Sequence, residues 1–110
     1  MTECCILLTT FSDENEAKNL IKYVLDKKLV ACVQLHNINS MYLWDNEICN
    51  DNEILVAFKT TTKHYDALAK IIQDKHSYDV PEIIQVPITT GSLAYLSWIQ
   101  EVTTNQGDGS

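Results

Sequence analysis

The chain has 110 residues and a formal net charge of −7, and its eight basic residues are all Lys, with no Arg. Phosphate backbones and anionic headgroups are gripped by clustered Lys and Arg, so this balance argues against nucleic acid or a membrane surface as partner. At this length a single core accounts for the chain, and 45% hydrophobic with 21% charged residues is an ordinary soluble composition.

In chain order, Cys4 to Thr10 is a short apolar run that reads as a strand. Asp13 followed by Glu16 has the spacing of a helix start, with acidic residues at the positive end of the helix dipole. Ala17, Leu20, Ile21, Val24 and Leu25 then fall on one helical face, and Lys27-Lys28 close the helix. Leu29 to Leu35 is a second apolar run, followed by polar His36-Asn37-Ile38-Asn39 and by a strand-like Ser40 to Trp44. Asp45-Asn46 signals a turn, Glu47 to Cys49 starts the return, Asn50-Asp51-Asn52 is expected to break or bulge it, and Glu53 to Thr60 continues it. An extended hairpin over Cys32–Thr60, irregular on both arms, is the expectation. Thr61 or Thr62 caps a second helix, with Tyr65, Leu68, Ala69 and Ile72 on one face. Both prolines lie in the stretch His76 to Pro87, where Pro81 forces the helix to stop and a strand runs on to Pro87. Gly91-Ser92 turns into a last helix lined by Leu93, Leu96 and Ile99. One domain is therefore expected over 1–103, with 104–110, small, polar and Gly-containing, as a disordered tail.

Strand, helix, two strands, helix, strand is the order of the ferredoxin-like split βαβ unit, an α+β class, here with an added C-terminal helix. Its helices cover one face of an antiparallel sheet. The strands Ile6 to Leu8, Ile54 to Phe58 and Ile83-Ile84 are apolar at successive positions, so both faces carry hydrophobic side chains. Leaving such residues in water forgoes about 1.5–3 kcal/mol each. A second copy of the chain is the natural cover, and a homo-oligomer is expected.

The stretch His76 to Glu82 gathers an imidazole, a phenol and two carboxylates beside a strand, which makes it the first place to seek a metal or small-molecule site. Lys59, Tyr42, Trp44, Tyr78 and Glu82 are the candidates for an inter-subunit cleft. A Lys59–Glu82 ion pair at a subunit seam is the bland alternative, and interface packing is the default for the two aromatics of the hairpin. Cys32 is expected as a buried structural thiol, His36 and His64 as solvated, and Trp98 as packing the last helix against the body. Cys4, Cys5, Cys32 and Cys49 form no CxxC pair. With neither a basic-apolar leader nor an apolar run of about 20 residues, they read as reduced thiols of a cytoplasmic protein. No glycine-rich phosphate loop and no Gly-x-Ser-x-Gly elbow occurs, so no catalytic residue is assigned and the protein is expected not to be an enzyme.

Several segments together resemble the CutA family of divalent-cation tolerance proteins. They are Thr9-Thr10, Leu29 to Leu35, Ser40 to Trp44, Lys59-Thr60-Thr61, His76 to Ile83 and Gly91 to Ile99. The resemblance implies a homotrimer similar in architecture to PII signalling proteins, association with copper or other divalent cations, and no established catalysis. The number three comes only from this resemblance. The bacterial copper-binding pattern has a Cys, a His and a Glu where this chain has Thr9, Lys75 and Glu82. Two of the three ligands are thus replaced, which leaves His76, Glu82 and Asp79 as the nearest metal-ligating groups. The likeness to PII proteins implies an alternative, a small metabolite in the inter-subunit cleft presented to a protein partner.

Overall fold

The computed structural model describes residues 3–104. The elements are β1 (Cys4–Phe11), α1 (Glu14–Asp26), β2 (Cys32–Trp44), β3 (Glu47–Thr61), α2 (Thr62–Lys75), β4 (Ile84–Pro87) and α3 (Leu93–Thr104). One sheet runs β2-β3-β1-β4, and every neighbouring pair is antiparallel. The α+β split βαβ architecture read from the element order is the one found.

Period-two alternation divides each strand between two faces. Leu7, Phe11, Val56 and Phe58 point to the side covered by α1 and α2, and with Val24, Leu68 and Ile72 they form the buried core. α1 starts where its chemistry demands, because the Asp13 carboxylate accepts the Glu16 N–H at 3.0 Å. Its expected apolar stripe is buried through Val24, but Leu25 is exposed, one position past the face that meets the sheet. On α2, Leu68 and Ile72 are buried, while Tyr65 and Ala69 only flank the core.

The β2–β3 hairpin is more regular than its polar insertions suggest. Pairing continues unbroken from Cys32–Lys59 to Trp44–Glu47, with Ser40 opposite Asp51 and no bulge at Asn50 to Asn52. Side-chain bonds offset the weak strand propensity there: the Asn39 amide donates to Asn50, to the Asp51 carbonyl and to Asn52. Asp45 and Asn46 have φ of 52° and 65°. Both central residues are thus left-handed, as the two-residue hairpin turn requires.

β4 begins at Ile84, not at Pro81, since Pro81 lacks the N–H that a ladder needs. It is an edge strand, so Pro87 is tolerated opposite Cys5. Of the expected tail, Thr104 ends α3, and the rest lies outside the described residues. α3 sits at the end of the second face: Cys4, facing away from Leu7, donates its thiol to the Leu96 carbonyl at 3.7 Å, and Ile99 and Thr103 are buried. Trp98, expected to pack α3 against the body, stays 41% exposed, with its ring 5.7 Å from that of Tyr95. Cys32 is half-buried in the single chain. His64, expected in solvent, is buried against α3, whereas His36 is exposed. The remainder of the second face leaves Ile84 and Val86 exposed, and the hairpin tip exposes Met41, Leu43, Trp44 and Ile48.

Candidate functional site

The loop after α2 is tied to three elements. α2 ends where the His76 N–H bonds the Ile72 carbonyl at 2.9 Å, with His76 itself already extended ahead of Pro81. The His76 ring stacks on Phe11 with centroids 4.3 Å apart. Its Nε2 lies 2.6 Å from the Thr10 carbonyl, and its Nδ1 accepts the Tyr78 N–H at 3.0 Å. An acceptor at Nδ1 puts the hydrogen on Nε2, which donates to Thr10. Glu16, after its backbone has met the Asp13 cap, turns its carboxylate to the loop and accepts from the Ser77 N–H at 2.9 Å and the Ser77 hydroxyl at 3.0 Å. The Tyr78 hydroxyl donates to Glu53 at 2.8 Å, which clips the loop to β3.

This anchoring frames a groove of about 880 Å³ between the loop and the hairpin. Thr10 forms part of its floor, Tyr42, Trp44, Cys49, Asp51 and Glu53 come from the hairpin, and Tyr78, Asp79 and Glu82 come from the loop. Four carboxylates and no Lys, Arg or His line it. Two of them are engaged by phenols, because Tyr42 donates to Asp51 as Tyr78 does to Glu53. The Asp51 carboxylate pushes the Tyr42 phenol up to about 12, and burial followed by the Glu53 bond raises that of Tyr78. Asp79 and Glu82 remain exposed.

Of the residues singled out in the sequence, the fold brings Tyr42, Trp44, Tyr78, Asp79 and Glu82 to this groove. It does not bring the others. His76 lies behind it with both ring nitrogens in hydrogen bonds, so a metal would have to displace either Thr10 or the Tyr78 N–H. Lys59, opposite Ile6 and Cys32, has its ammonium 5.4 Å from the Tyr95 ring of α3. Among the described residues the ion pairs are Lys18–Glu14 and Lys70–Asp74, so within one chain Lys59 and Glu82 are not paired. Nor do the three positions of the bacterial pattern converge in one chain. Thr9 is buried and faces the same side as Leu7 and Phe11, Lys75 lies 4.6 Å from the Tyr23 ring, and only Glu82 reaches the groove. Among the described residues no three His, Cys, Asp or Glu side chains gather as a metal site. A preformed chelate for copper therefore does not fit one chain, and the ionisable donors the groove offers a cation are its four carboxylates and the Cys49 thiol.

Sequence reasoning missed Asp51 and Glu53 as lining groups and Glu16 as the loop's anchor. Cys49, Asp51 and Glu53 alternate at period two, the pattern of one strand face. That signal was legible, but the expected bulge at Asn50 to Asn52 obscured it. The Glu16–Ser77 bond spans 61 residues of chain and has no local signature.

The order β2-β3-β1-β4, with two helices on one face and an elongated hairpin, defines a ferredoxin-like domain of the split βαβ type. The family model of the CutA1 divalent ion tolerance protein matches residues 5–102. A divalent-cation tolerance protein CutA of Thermus thermophilus is 35% identical over 99 residues, covering 89% of this chain and 96% of the relative. One from Yersinia pestis is 38% identical over 95 residues, covering 86% of this chain and 80% of the relative. The structure of the periplasmic divalent cation tolerance protein CutA from Archaeoglobus fulgidus superposes with a TM-score of 0.88 at 30% identity, covering 91% of this chain and 98% of that one. The chain belongs to the CutA1 divalent ion tolerance family, a membership that supports a role in the response to metal ions.

Proposed function

We propose that the protein acts in the response to divalent metal ions as a non-catalytic homotrimer of the cytoplasm, meeting its cations at the acidic groove between the hairpin and the His76 to Glu82 loop. The observation that carries this reading is the lining: four carboxylates, no basic group, and two of the four already bound by phenols. Asp79 and Glu82 are the free oxygen donors. Carboxylates suit hard, readily exchanging cations, whereas copper selectivity draws on several imidazoles or thiolates, of which the groove's lining offers one, the Cys49 thiol. With His76 held by Thr10 and Tyr78, the reading is of weak association with divalent cations in general, copper among them, without a copper-specific cage.

Assembly is supported by the exposed apolar side chains Ile84 and Val86 on the second face and Met41, Leu43 and Ile48 on the hairpin. The PII-like alternative is not favoured. An anionic metabolite would meet like charge in the groove, and Lys59 is directed to Tyr95 rather than into it.

Calorimetric titration with Mn²⁺ and with Cu²⁺ tests the site. Weak binding of both ions is expected, abolished in an Asp79→Asn, Glu82→Gln double variant. Binding that survives this pair of changes but disappears in His76→Ala overturns the assignment to carboxylates. Sedimentation at low micromolar concentration tests the assembly, and a single-chain mass would remove the trimer.

A further inference from the structure

His64 stands apart from the groove and is used by nothing described above. It is the third residue of α2 and only 7% exposed. Its Nε2 lies 3.2 Å from the carbonyl oxygen of Thr103 in the last turn of α3. That carbonyl is one of the four at a helix C-terminus that have no partner within the helix, so the ring supplies what the helix lacks. Thr103 itself is buried, its hydroxyl bonded to the Ile99 carbonyl at 2.9 Å. A single side chain thus joins the first turn of α2 to the last turn of α3.

We propose that His64 is a pH-sensitive latch that holds the C-terminal turn of α3 against α2 while the ring is uncharged and releases it on protonation. An uncharged ring with its hydrogen on Nε2 makes the bond to Thr103 without a buried charge. A second proton would place a cation where water hardly reaches, at the N-terminal, positive end of α2 and beside the Lys63 ammonium. Among the described residues no carboxylate forms an ion pair with it. β1 presents the Cys4 and Cys5 thiols, the Glu3 side chain before it is exposed, β3 ends in Thr60 and Thr61, and the one carboxylate of α3, Glu101, is exposed. The negative end of the α3 dipole pulls the other way. Burial outweighs it: desolvation lowers the His64 pKa from its ordinary 6.5, the Thr103 bond raises it by less, and Lys63 lowers it again. The folded ring therefore holds its proton less tightly than the unfolded one. Its contribution is complete above about pH 6.5 and is lost as pH falls through the depressed value. Swinging the last turn of α3 outward relieves the charge by letting water in.

Amide hydrogen exchange of the full chain, corrected for the intrinsic rate at each pH, tests the latch. Between about pH 7.5 and about pH 5 the protection of α3 is expected to fall relative to that of α1. His64→Gln keeps a donor to the Thr103 carbonyl but cannot titrate, so its α3 is expected to be equally protected at both. Unchanged α3 protection in the wild type, or the same fall in His64→Gln, overturns the proposal. Should the variant not fold, the wild type still decides. In an NMR titration the His64 ring is expected to titrate below its ordinary 6.5, and titration at or above that value refutes the latch.

Discussion

Strand β3 crosses two regions that obey the same alternation and end differently. From Ile54 onward every second side chain, Ile54, Val56, Phe58 and Thr60, is buried under α1 and α2. From Glu47 to Glu53 none is buried, although pairing with β2 continues without a break. Backbone pairing therefore does not distinguish the base of the sheet from its protruding arm; what covers the side chains does. Over the base, helices supply the cover. On the arm, asparagines bonded to one another and exposed Met41, Leu43 and Ile48 mark where this chain stops covering itself.

The largest expected contrast comes from truncating each region. Phe58→Ala, in the fully buried base, should cost about 3–5 kcal/mol in urea unfolding, and a loss under about 1 kcal/mol would mean the base is not the core. On the arm, Leu43→Ser with Ile48→Ser should leave far-ultraviolet circular dichroism unchanged but shift the sedimenting mass toward that of one chain. An unaltered mass would show that the arm's apolar tip takes no part in assembly.

Smaller effects sharpen the link between the regions, which is the loop. Glu16→Gln weakens two charge-assisted bonds to Ser77 and should cost about 1–3 kcal/mol, with faster amide exchange at Ser77. A Ser77 amide exchanging as in the wild type would count against that anchor. Tyr78→Phe removes the bond to Glu53 at about 1 kcal/mol. It should leave α1 and α2 melting together, whereas separate transitions would show that the clip holds more than the loop. The smallest change is spectroscopic. Because Asp51 keeps the Tyr42 proton in place, the folded phenol titrates above the unfolded one, so this contact persists below pH 10.0 and is lost as pH rises toward about 12. Tyr42→Phe should delete a late step in the phenolate absorbance titration. Loss of a step near pH 10.0 instead would mean that the Asp51 bond is absent in solution.

The elements themselves were legible because each has a local cause. Asp13 caps α1, α2 ends ahead of Pro81, through which no helix could run, and Asp45-Asn46 turns the hairpin. Errors fell where distant partners overrode local character. Asn50 to Asn52 look like strand breakers but are held by Asn39 across the ladder. His64 looks solvated beside Lys63 until α3 folds over it. The candidate site was half legible: Tyr42, Trp44, Tyr78, Asp79 and Glu82 do meet at one groove, while Asp51 and Glu53 were hidden by the expected bulge.

By itself the sequence determined the order of elements, the sides on which their apolar residues lie, and the family, since periodicity, caps and short motifs are written within a few residues. Only the tertiary structure decided what His76 does. Its two nitrogens are taken by a carbonyl 66 residues away and by a neighbouring amide, so within one chain the imidazole braces the loop. Hydrogen-bonding capacity is a property of a residue type, but whether it is already used depends on which parts of the chain the fold brings within three ångströms.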